Sequence, residues 1–495
     1  MINEEIKKQY LPTIGLEIHL EPKTKNKMFC NCLNDPDEIH PNTNVCPICL
    51  SHPGVLPTIN LEAVKLILKL GLALNCEIPN RARFDRKNYF YPDLPKAYQI
   101  TQAFYPFCLN GKMTPFLEEG IDEVLIREIH LEEDTGRLTH LGNKTLIDYN
   151  RASRPLIELV TTACIHDSKT ARAFAESLQV ILRELNISDA DMEKGQMRVE
   201  VNVSVSKDDK WGTKTEVKNI NSFRSAEKAI DFEIDRQIEL LENGEKVVQE
   251  TRGWDDSKNI TVSQRIKEGA DDYRYFPDPD LPEMIVHGVG GIFNLEVLKQ
   301  EIGELPNAKK ERIMKEYSLS SIKAVLFVIN NDVFEYFEKT VFEIKNILKD
   351  SNNLPKAYEL IYNYLVTDIL GYVSLKNINF KDISISVLNF AKLINLIIEN
   401  RVSSRGAKMI LEKIIQNDND PEIVMKENML EQVSNTDDLL KIVLEVLAEN
   451  EKSVLEYKAG KVTVIQFLIG KTMAKAKGAG NPGMIKELIE KELNV

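Results

Sequence analysis

Three short segments in the N-terminal half of the chain alternate between apolar and polar residues, which is typical of β-strands with one buried face. They span residues 13–20 (TIGLEIHL), 124–134 (VLIREIHLEED) and 198–205 (RVEVNVSV). Their polar sides carry carboxylates and histidines, namely Glu17, His19, Glu128, His130, Glu132 and Glu200. A further acid, Glu158, lies in the apolar segment 156–160.

These acid-bearing strands predict a metal site if they are neighbours in one sheet. Like charges crowded on one face are costly unless a cation neutralises them. Carboxylate oxygens together with histidine suit Mg²⁺ or Mn²⁺ better than a soft metal. The alternative for any single strand is a solvated sheet face, and the pattern alone does not determine which strands pair.

Helical periodicity takes over in other parts of the chain. Residues 59–74 predict a helix with Asn60 as its N-cap, and residues 167–184 and about 222–242 predict two more. From about residue 295 the periodicity is helical throughout, apart from a break at residues 416–421 (QNDNDP).

We therefore predict an α+β fold, and a chain of 495 residues favours two to three domains. The expected divisions are a sheet-centred, cradle-like catalytic domain at 1–294, a helical domain at 295–416 and a small helical tail domain at 417–495.

The charge balance limits the interactions of the chain with nucleic acid. Lys and Arg number 63 and Asp and Glu number 76, so the net charge is −13. Any RNA contact must therefore come from local basic patches. No apolar run of about 18 residues predicts a membrane span, and the N-terminal MINEEIKKQY is neither a signal nor a typical transit peptide. We expect a cytoplasmic protein with no membrane contact.

Four of the seven cysteines form two short pairs, Cys30 with Cys32 and Cys46 with Cys49. Two such pairs separated by a loop can surround one Zn²⁺ with four thiolates. The alternative is four reduced thiols without a metal. In either case the clustered cysteines favour a reducing compartment over a disulfide scaffold.

The segment from Phe84 to Gln102 (FDRKNYFYPDLPKAYQITQ) is predicted to be an ordered loop stiffened by two prolines. Its aromatic faces and cations could hold a nucleotide or the aminoacylated end of an RNA. The alternative is a buried aromatic loop beneath a sheet. The candidate contacts in it are Arg86, Lys87, Asn88, Tyr89 and Tyr91.

Two other groups of polar residues are candidate contacts. Lys214, Lys218 and Asn219 precede a predicted helix and could bind phosphate or carboxylate, or could be ordinary surface charges. Arg252 and Arg274 each lie beside an aromatic residue. They could hold a phosphate or the terminal base of a tRNA, or could form a buried cation–π brace.

The C-terminal segment between Glu456 and Glu487 contains six lysines and no acid. In an acidic chain this indicates a local basic patch that could hold an RNA backbone by shape and charge. The alternative is a solvated helix face. The candidate contacts are Lys458, Lys461, Lys471, Lys475 and Lys477.

Four motifs occur in the order found in one family: GLEIH at 15–19, the aromatic segment at 84–102, KTEVKNINSF at 214–223 and DYRYFPDPDLP at 272–282. From about Gly15 to its C-terminus the chain resembles the B subunit of the tRNA-dependent glutamyl/aspartyl amidotransferase. The resemblance implies an ATP-dependent carbon–nitrogen ligase that acts as a heterotrimer with an amidase (A) subunit and a small (C) subunit.

The implied reaction converts Glu-tRNA(Gln), Asp-tRNA(Asn) or both into Gln-tRNA(Gln) and Asn-tRNA(Asn). ATP phosphorylates the side-chain carboxylate, and ammonia from the separate glutaminase subunit then displaces phosphate.

The resemblance also implies roles for individual residues. It makes His19, Glu132 and Glu158 ligands of Mg²⁺ and, with Glu17, catalytic residues. Glu17, Glu128 and Glu200 would hold a second metal or support the first. The four cysteines would hold a structural zinc, and the tail lysines would bind tRNA. The family has glycine where Ala97 and Ser153 stand here.

Two other functions compete with this one. A non-enzymatic tRNA-binding scaffold would explain the cysteines and the lysine-rich tail but would leave the acidic strands without a role. A metal-dependent hydrolase of a small phosphorylated molecule would explain the carboxylates but not the tail. ATP consumption that depends on charged tRNA distinguishes all three.

Overall fold

The computed structural model describes residues 2–208, 210–266, 270–432, 436–476 and 482–493. The chain divides into two compact units, Met1–Lys309 and Lys310–Val495. The first unit is centred on a sheet and the second is built of helices, which confirms the predicted α+β fold. The predicted division into three domains stays a prediction. Within the described residues no helix is long and apolar enough to cross a membrane.

The first unit contains all the strands of the described chain. The strands are β1 Leu11–Leu20, β2 Arg81–Ala82, β3 Asp85–Asn88, β4 Tyr98–Thr101, β5 Cys108–Met113, β6 Val124–Glu133, β7 Arg137–Leu141, β8 Lys144–Asp148, β9 Pro155–Thr161, β10 Met197–Ser206, β11 Thr215–Lys218, β12 Glu250–Asp255, β13 Ile260–Ile266, β14 Phe276–Pro277 and β15 Met284–Ile285. Its helices are α1 Glu4–Lys7, α2 Leu61–Ala73, α3 Ser168–Glu184, α4 Phe223–Glu242 and α5 Leu295–Ile302, and α6 Pro306–Tyr317 spans the boundary between the units.

Eight strands form the main sheet in the order β13-β12-β11-β10-β1-β9-β6-β5. All neighbours are antiparallel except β11 and β12, which are parallel. The acid-bearing strands β10, β1, β9 and β6 are consecutive in this order, which settles a pairing that the sequence pattern left open. In the registers, Glu158 lies opposite both His19 and His130, and Glu17 lies opposite Glu200.

The opposite face of the sheet is apolar and buried. Ile14 and Ile18 of β1 and Val201 and Val203 of β10 have no exposed surface, and each buried side chain of this size contributes about 1.5–3 kcal/mol. Helix α4 covers this face at β10. A one-residue slip in pairing would move the apolar side chains of a strand to the other face, so burial of the apolar face fixes the register of the strands. The same register determines which polar residues lie opposite one another on the polar face.

The predicted helices exist with small changes at their ends. Asn60 caps α2 by accepting hydrogen bonds from the amides of Glu62 and Ala63, as its position before the apolar run predicts. Asp167 caps α3 and Ser222 caps α4 in the same way.

The segment 84–102 is not a loop throughout, so that prediction was wrong. Strands β3 and β4 pair within it, and β14 adds a third strand to this small sheet. The polar composition did not indicate strands, because the charged side chains of this segment have partners inside the protein. The fully buried Asp85 carboxylate accepts hydrogen bonds from the amides of Ala103 and Phe104.

A buried ion pair joins this hairpin to the main sheet. Lys96 Nζ lies 2.7 Å from Glu133 Oε2, and the amide of Ile100 donates to Glu133 Oε1 at 3.0 Å. Both charged side chains are nearly inaccessible to solvent. The hairpin is therefore fixed to β6 at the residue next to Glu132.

Ala97 and Ser153, which stand where the resembling family has glycine, both have left-handed backbone conformations, with φ of 60° and 66°. This region costs an L-residue about 1–2 kcal/mol. We expect Ala97→Gly and Ser153→Gly each to raise the free energy of unfolding by about 1 kcal/mol, after the entropy cost of glycine. Denaturant titration measures this. Ala103→Gly, at an ordinary φ, is the control and should slightly destabilise. A loss of stability in both test variants would contradict the strain argument.

The second unit is helical in all of its described elements. After α6 its helices are α7 Ser321–Ile329, α8 Asn331–Ile347, α9 Leu354–Asn363, α10 Leu370–Lys376, α11 Val387–Ile398, α12 Ser404–Asn417, α13 Pro421–Glu427, α14 Thr436–Glu449, α15 Glu451–Lys458, α16 Val464–Lys475 and α17 Pro482–Leu493. A π-helical turn, Tyr364–Ile369, joins α9 to α10.

The predicted break at 416–421 is a short turn between α12 and α13, with Asp418 in the left-handed conformation at φ 49°. Further along, α14, α16 and α17 enclose a hydrophobic cluster that includes Leu439, Leu468 and Ile489. The last helices therefore have a core of their own.

Candidate active site

The polar face of the main sheet forms the floor of a cavity of about 430 Å³. Strands β10, β1, β9 and β6 supply most of the floor, β11 extends it, and residues from the hairpin and from the segment before β14 form a wall. The charged and aromatic residues that line it are Glu17, His19, Lys87, Arg127, Glu128, His130, Glu132, Glu158, Glu200, Glu216, Lys218, Tyr273 and Tyr275. The cavity thus contains an unusual excess of carboxylates.

His19, Glu132 and Glu158 form the first cluster in this floor. His19 Nε2 lies 3.7 Å from Glu132 Oε1 and 3.5 Å from Glu158 Oε2. One ligand atom from each residue lies within 4.8 Å of the others. An octahedral Mg²⁺ with ligands at about 2.1 Å places them about 3.0 to 4.2 Å apart, a range that includes both distances from His19 Nε2. One imidazole nitrogen with two carboxylate oxygens fits a hard divalent cation, so these residues fit the metal that the sequence predicts.

The three groups strongly perturb each other's protonation. Burial lowers the pKa of His19, but the carboxylates of Glu158, Glu132 and Glu200 outweigh burial and raise that pKa to about 9. Burial and the charge of Glu158 raise the pKa of Glu132. Burial acts in the same direction on Glu158, but His130 and His19 hold the pKa of Glu158 well below its usual value. Without a metal, the protonated His19 is the cation of this cluster.

This protonation predicts how metal affinity depends on pH. A metal ligand must be a neutral imidazole, so binding has to release the proton that His19 carries below about pH 9. We expect Mg²⁺ affinity to rise by up to about tenfold per pH unit up to that pH and then level off. Calorimetry in buffers of different ionisation enthalpy measures the released proton. His19→Gln removes the titrating group and should flatten the profile. A wild-type affinity that is constant between pH 7 and 9 would contradict the prediction.

His130 supports the first cluster from β6. Its Nε2 lies 3.2 Å from Glu158 Oε2, and only 6% of the residue is exposed. Among the described residues its Nδ1 has no hydrogen-bond partner. The sequence placed His130 on the polar side of its strand but did not include it among the site residues. The structure shows that it orients Glu158, which is the role that histidine and carboxylate partners of metal ligands usually have.

Glu17, Glu200 and Glu216 form a second cluster on β1, β10 and β11, again with ligand atoms within 4.8 Å of one another. Lys218 Nζ lies 2.7 Å from Glu200 Oε2 and 3.7 Å from Glu216 Oε1. The sequence prediction missed Glu216. The sequence feature that could have indicated it is the alternation in TEVK at 215–218. Thr215 and Val217 are buried there, and Glu216 and Lys218 share the other side of the strand.

Asn202 and Thr251 orient two carboxylates of the second cluster. Asn202 Nδ2 donates to Glu17 Oε1 at 2.8 Å, and Thr251 Oγ1 donates to Glu216 Oε2 at 2.7 Å. A carboxylate that is already hydrogen-bonded on one oxygen offers the other in a fixed direction, as metal sites require.

Lys87 is the cation in the wall of the cavity. Its ammonium lies 4.8 Å from the centre of the Tyr273 ring and 5.8 Å from that of Tyr89. Burial lowers the pKa of Lys87, but Glu132, Tyr275 and Glu158 together raise it. Lys87 is therefore held as a charged group that faces the acidic floor. Of the predicted hairpin contacts, it is the one that lines the cavity.

The other predicted contacts of the hairpin are placed outside the cavity lining. Arg86 forms ion pairs with Asp278 at 2.7 Å and Asp280 at 2.8 Å. The side-chain amide of Asn88 donates to the backbone carbonyls of Tyr273 and Arg274 at 3.3 and 2.8 Å. These contacts join the hairpin to the segments on both sides of β14, so both side chains support the wall.

Tyr89 donates its hydroxyl hydrogen to Gln99 at 3.3 Å and packs edge-on against Tyr273, while Tyr91 is 58% exposed. Arg274 is exposed, and its backbone has the left-handed conformation, with φ 45°. The assignment of these residues as substrate contacts stays a prediction.

The remaining candidate contacts, three cations and one asparagine, lie in different parts of the first unit. Lys218 lines the main cavity, whereas Lys214 lines an adjoining cavity of about 400 Å³ that shares Glu17 with it. Asn219 is exposed at the end of β11. Arg252 points to the face covered by α4, where it lies 3.7 Å from Glu233 Oε2.

The four clustered cysteines come together as their spacing predicts. Their sulfur atoms lie within 4.8 Å of one another, and the sulfurs of Cys46 and Cys49 are 3.9 Å apart. Tetrahedral zinc with Zn–S bonds of about 2.3 Å requires sulfurs about 3.8 Å apart, so the cluster fits zinc. A hydrogen bond from Cys30, helped by the charge of Lys27, lowers the pKa of Cys49 to about 4.

The basic patch of the tail is less basic than its sequence indicates. Lys475 forms ion pairs with Glu445 and Glu449 of α14 at 2.9 and 2.6 Å. Lys461 pairs with Glu456 at 3.0 Å. The acids come from a neighbouring helix or from the edge of the patch, so the interval without acids in the sequence does not mean an absence of acids in space.

Lys471 and Lys458 differ from these two lysines, since neither forms an ion pair within the described residues. Lys471 lies above the ring of Phe467 at 5.5 Å. Lys477 lies outside the described residues.

Comparison with known proteins adds two family matches. The family described as GatB/GatE catalytic domain matches residues 12–288, and the family described as GatB domain matches residues 335–493. The first match contains every residue of the cavity floor, and the second contains the lysine-rich tail.

Curated relatives match over nearly the full chain. A protein of Caldicellulosiruptor saccharolyticus is 42% identical over 491 residues, which are 98% of this chain and 99% of the relative. Proteins of Thermotoga maritima and Carboxydothermus hydrogenoformans are 40% and 38% identical over 493 residues, with the same shares. All three are named as the B subunit of an aspartyl/glutamyl-tRNA(Asn/Gln) amidotransferase.

Proposed function

Because the chain belongs to the GatB family of amidotransferase B subunits, we propose that the cavity over its main sheet is where the side-chain carboxylate of a misacylated tRNA is activated. The protein is a subunit of a tRNA-dependent amidotransferase, a glutamine-hydrolysing ligase that acts in translation. Its family is ATP-dependent. We assign the phosphoryl transfer from ATP to this cavity.

The observation that carries the assignment is the pair of ligand clusters on one sheet face, His19 with Glu132 and Glu158, and Glu17 with Glu200 and Glu216. Magnesium bound there would neutralise phosphate charge as the phosphoryl group moves. Because the clusters lie on neighbouring strands, the protein itself sets their separation. Glu128 lines the same cavity, and its Oε1 lies 3.9 Å from His130 Nδ1.

The chain's own residues then orient the reactants. His130 holds Glu158, and Lys218 and Asn202 hold the second cluster. Lys87 faces the floor from the wall and offers a cation to the phosphoryl oxygens, opposite the metal ligands. The rings of Tyr273 and Tyr275 exclude water from that side and present faces on which the terminal base of a tRNA can stack.

We propose that ammonia comes from a separate amidase (A) subunit and that a small (C) subunit completes a heterotrimer. Neither the sequence nor the described residues place a serine or cysteine nucleophile beside a base in this cavity. The substrates in this proposal are Glu-tRNA(Gln), Asp-tRNA(Asn) or both, and the complex works in the cytoplasm.

The zinc site completes the proposal. Cys30, Cys32, Cys46 and Cys49 would hold one structural Zn²⁺. The cluster adjoins the strand that carries Glu158, because the amide of Met28 donates to the carbonyl of Ser153 at 2.8 Å. A metal bound there would stabilise the segment that leads into β9.

The experiment reconstitutes the chain with its amidase and small subunits and supplies ammonium, ATP, Mg²⁺ and Glu-tRNA(Gln). The amino acid released from the tRNA is then identified. Glutamine formed by the complex and ATP consumed only with charged tRNA would support the proposal. Tight tRNA binding without ATP consumption would favour the scaffold function, and ATP consumption without charged tRNA would favour a hydrolase.

We expect the tail to bind tRNA mainly through Lys458 and Lys471, which form no ion pair within the part of the chain that the structure describes. Lys471→Glu should weaken tRNA binding by about tenfold and reduce the salt dependence by about one phosphate contact. Lys475→Glu should weaken it less, because Glu445 and Glu449 already balance the charge of Lys475. Filter binding at several salt concentrations measures both. Equal effects of the two variants would contradict the role of the ion pairs.

A further inference from the structure

Lys27 is a fully buried lysine beside the cysteine cluster. None of its surface is exposed, and it is among the largest fully buried side chains of the protein. Its ammonium lies 3.8 Å from Cys49 Sγ and donates to the carbonyl oxygen of Tyr149 at 3.2 Å. Within the described residues no aspartate or glutamate forms an ion pair with it.

A buried ammonium is strongly unfavourable unless a negative charge lies nearby. A single carbonyl oxygen compensates only part of that cost. Without the metal, the lowered pKa of Cys49 supplies one thiolate beside Lys27, whereas four thiolates around one Zn²⁺ carry a net charge of −2. The metal-bound centre therefore has the larger uncompensated charge in this interior region, and the ammonium of Lys27 offsets part of it.

We propose that Lys27 is a positioning residue of the zinc centre, whose charge retains the metal by offsetting that of the tetrathiolate. This inference rests on the zinc site proposed above. The lysine also connects the centre to the hairpin, because Tyr149, which accepts its hydrogen bond, donates its hydroxyl hydrogen to the carbonyl of Pro92 at 2.8 Å. A continuous series of contacts thus runs from the zinc centre through Lys27 and Tyr149 to the turn of the hairpin.

The test compares zinc release from the purified full-length chain and from three variants. Lys27→Met keeps the methylene packing and removes the charge. Lys27→Gln also removes the charge but keeps a donor for the Tyr149 carbonyl. Lys25→Met changes an exposed lysine two residues away and is the control. A chromophoric chelator reports the release rate, and the absorption of the Co²⁺-substituted protein reports tetrahedral thiolate ligation.

Both Lys27 variants should release zinc about 10- to 100-fold faster than wild type, the usual effect of losing a partner of a metal centre. Lys25→Met should release it at the wild-type rate.

Different results overturn different parts of the argument. A wild-type chain that binds neither zinc nor Co²⁺ refutes the zinc site and the inference with it. A wild type that binds zinc, with unchanged release from Lys27→Gln, refutes the role of Lys27 alone. If Lys27→Met does not fold, the release rate of Lys27→Gln decides.

Discussion

Glu132→Gln is expected to lower ATP-dependent transamidation by about 10³-fold, which corresponds to about 4 kcal/mol of transition-state stabilisation. The carboxylate lies in the first ligand cluster, 3.7 Å from His19 Nε2, and only 4% of the residue is exposed. The amide is nearly isosteric but carries no charge, so the cluster loses metal affinity and keeps its shape. Glutamine formation from Glu-tRNA(Gln) in the reconstituted complex, with ammonium as the nitrogen source, measures the effect.

The same variant should bind charged tRNA with wild-type affinity, because the lysine-rich tail belongs to the other unit of the chain. Glu123→Gln is the matched control. This exposed glutamate lies just before β6 and pairs with Lys112 at 3.4 Å. Full activity in both variants would mean that the cavity floor has a structural role and that activation takes place elsewhere.

Lys87→Met should lower kcat by about 10²- to 10³-fold and change KM much less. The ammonium faces Glu132 and Glu158 from the wall of the cavity, where it can meet charge that develops on the phosphoryl oxygens. Losing one such preorganised donor typically costs this much. Steady-state kinetics with ATP as the varied substrate separates the two constants.

Lys87→Arg keeps the charge and should recover part of kcat, whereas Lys112→Met, at an exposed lysine outside the cavity, should have no effect. An increase in KM with an unchanged kcat would show that Lys87 stabilises the bound substrate and the transition state equally and adds nothing to the chemical step. A loss of folding in Lys87→Met would be visible in its unfolding midpoint and would make Lys87→Arg the decisive variant.

The sheet and its acidic floor were predictable because their signal is local. A period of two residues fixes the face of every side chain on a strand, so Glu17 with His19, and His130 with Glu132, were assigned correctly from the pattern alone. The order of the strands was not available in this way. It arises from pairing across more than a hundred residues, as between His19 and Glu158.

Partners that are distant in sequence explain most of what sequence reasoning missed. Arg86 looked like a phosphate contact, but it is paired with Asp278 and Asp280, which lie 192 and 194 residues further along the chain. Lys475 looked unpaired until α14 brought Glu445 and Glu449 beside it. A sequence reports which charges exist, whereas the fold decides which of them are neutralised.

Glu216 was missed for a different reason. Its strand has four residues and directly precedes a segment with clear helix-start signals, so the short alternation was assigned to the approach to α4. Short strands in the interior of a sheet are stabilised by their neighbours more than by their own pattern. They are therefore the elements that single-sequence reasoning finds least well.

The position of Lys218 has a consequence for how the chain matures. Glu17 and Glu200 are directly opposed in the register of β1 and β10, and two like charges in that position oppose pairing of the strands. With its ammonium 2.7 Å from Glu200, Lys218 acts as a built-in counter-ion. We expect a newly synthesised chain to close its sheet at any cellular magnesium level, and a metal to enter the second cluster only afterwards, by displacing the lysine.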